Sequence, residues 1–342
     1  MHPTRPIEEE TSESSLKEAV DRYLAWQRTS GRKHPASAKA LRPLAQSLQR
    51  WSFQTGPERP VKELTLPELE GYLHWLRGEH DFGDGPRAGV GEQTIKTQFT
   101  MIRAFLTWLR DRNYDLHASL FRGGKFAMSA PDVKEEKYDV YRPEELGLLW
   151  QATHEVDDKS NQYRNRAILA VLLGSGIRLG ELANLDDADF TGDHLFIRES
   201  KNRRQRFVPI TGVVQEAIRA YLARRRNQAP DPDGREPLFL GEGGVRLSEV
   251  GVTKVIQRLK KWADGGLQKP MVAGVHKFRH TYATFTLIKE RNLKGGHNIW
   301  ELKDRMGHKT LAITERYEHV LDPTIRIPSE WDRFIYVGNG RA

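Results

Sequence analysis

Apolar residues recur at three- and four-residue spacing in segment after segment of this 342-residue chain, which commits most of it to amphipathic helices. Leu16, Val20, Tyr23 and Leu24 write one stripe; Ile95, Phe99, Ile102, Phe105, Leu106 and Leu109 write a longer one between Thr94 and Asp111. Lys96, Arg103, Arg110 and Arg112 fall off that stripe, on the solvent side of the same helix. A further helix follows Pro35, over 36–51. Another opens at Thr65, an N-cap residue with an acid close behind, and runs through Leu76. The pattern predicts a small helical bundle over 15–118, after an acidic, disordered lead-in at 1–14 that holds Glu8, Glu9, Glu10 and Glu13.

Residues 119–140 break the periodicity with Gly123-Gly124, Ser129-Ala130-Pro131 and a charged run, and read as an interdomain linker. A second domain, 141–320, opens at Arg142-Pro143-Glu144-Glu145, with proline in the first helical turn. Asn165 to Leu173 is apolar enough to be a buried helix and stops at Gly174-Ser175-Gly176. Two short strands, 194–197 and 206–210, flank a turn at 200–205, and helices are expected over 213–226 and 248–262. The fold class is therefore mainly α: a helical bundle, then a mostly helical domain with one small antiparallel sheet. In the tail, 321–342, Ser329 can cap a helix over 330–337 whose Trp331, Phe334 and Ile335 make one apolar face. That face either covers its own domain's core or docks on a neighbouring protomer.

Composition removes several function classes. The chain has no cysteine, which excludes disulfides, thiolate metal sites and cysteine nucleophiles. No apolar run approaches the ~20 residues of a membrane span, and the acidic start lacks the basic n-region of a signal peptide, so a cytoplasmic protein is expected. A net charge of +8 favours a polyanionic partner.

The chemistry concentrates between Val275 and Val320. His276 and Arg279 lie three apart and share a helix face. His308 follows Gly307, which would end the helix written by Ile299, Leu302 and Met306, and Tyr317 follows nine residues on. Two histidines, an arginine and a tyrosine without an acidic cluster suit an anion and a phenolic nucleophile. Each residue alone has a plainer reading: surface pair, helix C-cap, core tyrosine. The order of the boxes is harder to dismiss. Gly176-Ile177-Arg178-Leu179-Gly180-Glu181, a basic turn with Lys201, His276-Lys277-Phe278-Arg279-His280, Gly307-His308 and Tyr317 succeed one another along the second domain.

This succession resembles the tyrosine recombinase family of phage integrases and Xer-type recombinases, across the whole second domain and more loosely across the first, where 94–113 looks like the last helix of a core-binding domain. Phe278 and Met306 stand where the family usually has leucine, and both remain apolar. The short stretch before the bundle favours an Xer-like layout without an arm-binding domain. The resemblance implies a site-specific recombinase acting on double-stranded DNA, as a dimer on each site and a tetramer in the synapse. It leaves room for an accessory DNA-bending or directionality protein. It also implies a catalytic set: Arg178 and Arg279 clamping the phosphate, Tyr317 attacking it to leave a 3′-phosphotyrosine, and Lys201 protonating the 5′ oxygen. His276 would serve proton transfer with the tyrosine, His308 would bond the phosphate, and Glu181 would support Arg178 or His276. No cofactor, metal or ATP is implied. Lys96, Arg103, Arg203, Arg204 and Lys277 are candidate DNA contacts, and members of the family commonly exchange a C-terminal element between protomers. A type IB topoisomerase, a hairpin telomere resolvase or a catalytically silent DNA-binding relative stays open.

Overall fold

The computed structural model describes residues 14–29, 35–78, 80–81, 86–87, 89–131, 139–198, 205–225, 234–272, 274–291, 298–319 and 326–336. The expected lead-in, Ser14 apart, lies outside them. The chain falls into two compact units, Met1–Glu135 and Glu136–Ala342. It is mainly helical with small antiparallel pairs, and no helix among the described residues is long and apolar enough to cross a membrane.

In the first unit, α1 (Leu16–Thr29), α2 (Pro35–Thr55), α3 (Leu66–Trp75) and α4 (Glu92–Arg110) enclose one core, with a two-residue pair, β1 (His80–Asp81) and β2 (Pro86–Arg87), before α4. The α4 stripe fills that core: Ile95, Phe99, Ile102, Phe105, Leu106 and Leu109 are all fully buried. α3 starts as its residues dictate, the Glu68 carboxylate accepting from both the backbone N–H and the hydroxyl of Thr65 at 2.8 Å. The stretch expected as a linker from 119 onward begins instead as part of this unit. β3 (Phe121–Arg122) pairs with β4 (Lys125–Phe126), and the Phe126 ring meets Phe121 and Phe99 at 5.5 and 5.9 Å. Leu120, Phe121, Phe126 and Met128 carry enough apolar area to dock on the bundle, which their polar neighbours obscure in a pattern search.

The second unit is built on α5 (Pro143–Glu155) and α6 (Lys159–Ser175), followed by α7 (Leu179–Ala183), β5 (His194–Ile197), β6 (Arg206–Pro209), α8 (Gly212–Leu222), α9 (Glu249–Ala263), α10 (Val275–Arg291), α11 (Ile299–Met306), α12 (Ala312–His319) and α13 (Ser329–Asp332). α6 is apolar all round between Ala167 and Leu173 because it is buried all round. β5 and β6 pair antiparallel with Leu195 opposite Val208, both fully buried. The turn between them, with Lys201, Arg203 and Arg204, lies outside the described residues.

The tail differs from its expected form. α13 spans four residues with Pro328, not Ser329, at its N-cap. Beyond it, side chains bind the carbonyls: Lys289 Nζ donates to the Asp332 and Ile335 oxygens at 2.9 and 3.0 Å, and Arg305 to that of Tyr336 at 3.0 Å. Trp331, Phe334 and Ile335 are buried in the core of their own unit, Phe334 lying edge-on to Trp150 at 5.3 Å.

Candidate active site

The site begins where α6 stops. Gly176 adopts φ +61°, and a Cβ there would lie 2.3 Å from the Tyr282 ring, so only glycine turns the chain this tightly. The turn delivers Arg178 to the N-cap of α7, with Glu181 at its third position. Glu181 accepts the Arg178 backbone N–H at 2.9 Å and pairs with the Arg178 guanidinium at 2.9 Å. A second guanidinium reaches the same carboxylate: Arg206, at the start of β6, contacts both Glu181 oxygens at 3.0 and 2.8 Å.

α10 contributes His276, Arg279 and His280 from successive turns. Arg279 is 2% exposed and donates to the carbonyl of Gly176 at 2.6 Å and to that of Met306. The end of α11 organises the rest. Its last carbonyls have no intrahelical donors and carry the negative end of the helix dipole. Arg305, Met306 and Gly307 each offer one carbonyl to one arginine: Arg206 at 2.7 Å, Arg279, and Arg178 at 2.8 Å. Gly307, at φ +64°, then turns His308 back into the unit, where its Nδ1 lies 2.8 Å from the Thr314 hydroxyl.

Tyr317, on α12, is 3% exposed. Its hydroxyl lies 2.9 Å from His280 Nδ1, and its ring stacks parallel to His308 with centroids 6.1 Å apart. His276 lies at the rim of the site, exposed on one side and covered on the other, and meets His280 edge-on at 4.7 Å. Burial and the neighbouring cations set the charges. Burial, then His276 and Arg279, lowers the His280 pKa to about 4. His308 falls to about 3 through burial and then Arg279, Arg178 and Arg206. His276 is lowered too, by burial and then Arg279 and Arg178. The His280 and His308 rings are therefore neutral at pH 7. Burial lowers the buried Arg279 to about 10, which leaves it a cation at neutral pH. For Glu181 burial is the largest influence and would raise the pKa, yet the Arg206 and Arg178 contacts together outweigh it and hold the carboxyl ionised. The result is a cationic cluster beside a sheltered phenol.

Of the residues singled out in the sequence, Arg178, Glu181, His276, Arg279, His308 and Tyr317 converge here, while Lys201, Arg203 and Arg204 lie outside the described residues. Lys277, expected as a DNA contact, is turned inward: it is 8% exposed and pairs with Asp139 at 3.1 Å and Glu145 at 3.5 Å, over the Tyr141 ring. Its charge is neutralised inside the protein, which removes it from any phosphate. In the first unit Arg103 is exposed, its guanidinium 5.7 Å from the Phe99 ring, and Lys96 is half-buried. Three participants had no assignment. His280 lies four residues from His276, on the same helix face, a spacing that could have revealed it. Arg206 and Thr314 give no such signal, because their partners come from distant parts of the chain.

Residues 140–323 match the model of the phage integrase family. The tyrosine recombinase XerC of Vibrio cholerae is 30% identical over 259 residues, 73% of this chain and 76% of that protein. XerC of Thermodesulfovibrio yellowstonii is 32% identical over 237 residues, 68% of this chain and 73% of its own length. Among solved structures, the Tn1549 transposon integrase in complex with transposon right-end DNA superposes with a TM-score of 0.70 at 18% identity, covering 89% of this chain and 94% of that one.

Proposed function

Since the chain belongs to the phage integrase family of tyrosine recombinases, we propose that it cuts and rejoins DNA at specific sites through a 3′-phosphotyrosyl intermediate and exchanges strands between two such sites. The observation that carries this reading is the convergence of Tyr317, three histidines and two guanidiniums in one unit. Arg178 and Arg279, each held by hydrogen bonds to the protein, supply the charge stabilisation a phosphorane-like transition state requires. Guanidinium charge takes the place of a metal ion in this scheme, and the tyrosyl ester conserves the bond energy, so no ATP enters.

Tyr317 attacks the phosphorus and displaces the 5′ oxygen, which Lys201 protonates. The phenolic proton leaves along the histidine pair. With a pKa near 4, His280 is a weak base, suited to accept the Tyr317 hydrogen bond and aim the oxygen. His276, exposed beside it, connects that ring to solvent. His308 Nδ1 lies 2.8 Å from the Thr314 hydroxyl; in the tautomer that accepts this bond, Nε2 carries the proton and is the donor for a non-bridging oxygen. Lys96 and Arg103 of the first unit, and Arg203 and Arg204 of the turn, add phosphate contacts. Binding should therefore weaken steeply with salt.

Two differently labelled duplexes carrying the protein's own binding site test the reading. The expected product is a four-way junction joining both labels. Relaxation of supercoils without any junction would instead identify a topoisomerase-like activity and overturn strand exchange.

A further inference from the structure

Arg206 is as firmly engaged as any residue in the site. All three of its guanidinium nitrogens are committed: Nη1 and Nη2 to the two Glu181 oxygens at 3.0 and 2.8 Å, and Nε to the Arg305 carbonyl at 2.7 Å. Its side chain is only 10% exposed. It is also the first residue of β6, the strand that leaves the turn holding Lys201.

We propose that Arg206 is a positioning residue that fastens the Lys201-bearing hairpin to Glu181 and to the C-terminal turn of α11, and thereby sets the aim of Arg178. The inference rests on the recombinase reading above. Glu181 Oε1 is shared, 2.9 Å from Arg178 and 3.0 Å from Arg206, so one carboxylate stands between two cations. Arg206 draws part of that negative charge away and leaves Arg178 less fully neutralised toward an incoming anion. The same guanidinium packs on Gly307: a Cβ there would lie 2.8 Å from Arg206 Nη1 and 3.3 Å from Arg178 Nη1. Gly307 precedes His308, so hairpin, arginine clamp and histidine turn meet at one side chain. Lysine cannot substitute, because a single ammonium cannot span two carboxylate oxygens and a carbonyl on its far side. Three of its five N–H donors are taken by Glu181 and the Arg305 carbonyl and its side chain is 10% exposed, so in this proposal Arg206 acts through Glu181.

The test uses a nicked duplex of the sequence the protein retains from a random-sequence pool, with two readouts: equilibrium binding and the single-turnover rate of covalent adduct formation. For Arg206→Gln, binding is expected within about threefold of wild type while the adduct rate falls about a hundredfold, the scale of a misaimed catalytic group. Arg206→Lys, which keeps the charge and guards against a misfolded first variant, should recover less than about a tenth of the lost rate. A 5′-bridging phosphorothiolate should rescue either variant only in part, because Arg178 stays misaimed once the need for Lys201 is removed, and Glu181→Gln combined with Arg206→Gln should be no slower than the slower single variant. A parallel loss of binding and rate, multiplying defects in the double variant, full activity of Arg206→Lys, or wild-type rates throughout would each overturn the inference. Failure of the wild-type protein to form any adduct would overturn the recombinase reading itself and this inference with it.

Discussion

At the scale of single residues, the proposed chemistry separates groups that would face the phosphate from groups that hold them. Lys201 belongs to the first kind in the proposed chemistry. Lys201→Ala should slow cleavage of an ordinary site by ~10²–10⁴-fold, the usual contribution of a general acid. A 5′-bridging phosphorothiolate, whose sulfur leaves without protonation, should recover much of that rate; equal defects on both substrates would reduce Lys201 to a DNA contact. The histidines make a different prediction, about stability. His280 carries a pKa near 4 in the folded protein against an ordinary 6.5. Between those values the unfolded chain binds the extra proton, so stability is fully present above pH 6.5 and is lost as pH falls toward 4. The melting temperature should drop through that window, and His280→Asn should make the drop smaller while leaving the share of His308; an unchanged profile in the variant would mean that His280 is not buried beside its cations. Tyr282, the other tyrosine of the motif region, is fully buried with its pKa raised by that burial, its ring closing against Gly176.

At the scale of elements, two glycines set the geometry for different reasons. Gly176→Ala meets the left-handed conformation, about 1–2 kcal/mol, and the flat face of the buried Tyr282 ring, which adds an overpacking cost of about 1–3 kcal/mol. Gly307→Ala meets a similar backbone cost but only the ends of two guanidiniums. The first should therefore lower the urea midpoint more, and the second should lower cleavage more; the reverse order would show that the arginines do not depend on this turn. Much of this was legible in the sequence. The α4 stripe, the glycine stop after α6, the hairpin strands and the succession of boxes all state themselves through spacing. What escaped did so for physical reasons. The β3–β4 hairpin is held by four apolar side chains too short a run to show a period. Lys277 shares a helix with His276 and Arg279, yet its burial follows from Asp139, Tyr141 and Glu145, more than 130 positions earlier, which no local pattern contains. Arg206 acquires its role from Glu181, 25 positions earlier, and Arg305, 99 positions later. The tail was open between two homes, and in the single chain its face lies in its own unit's core. Phe334→Ala should then cost about 3–5 kcal/mol of stability, read by denaturation; a loss confined to cooperative loading of a second protomer would place the tail in a neighbour instead.

At the scale of the molecule, a basic chain of net charge +8 carries a helical bundle and a second unit in which one helix end collects three arginines beside a sheltered phenol. The central claim is that this phenol is the nucleophile. The most direct measurement is covalent capture on a nicked DNA site, comparing wild type with Tyr317→Phe after denaturing electrophoresis. The substitution removes one oxygen and little volume, so folding and DNA binding should persist while the protein–DNA adduct disappears. An adduct that still forms with phenylalanine at 317 would contradict the account.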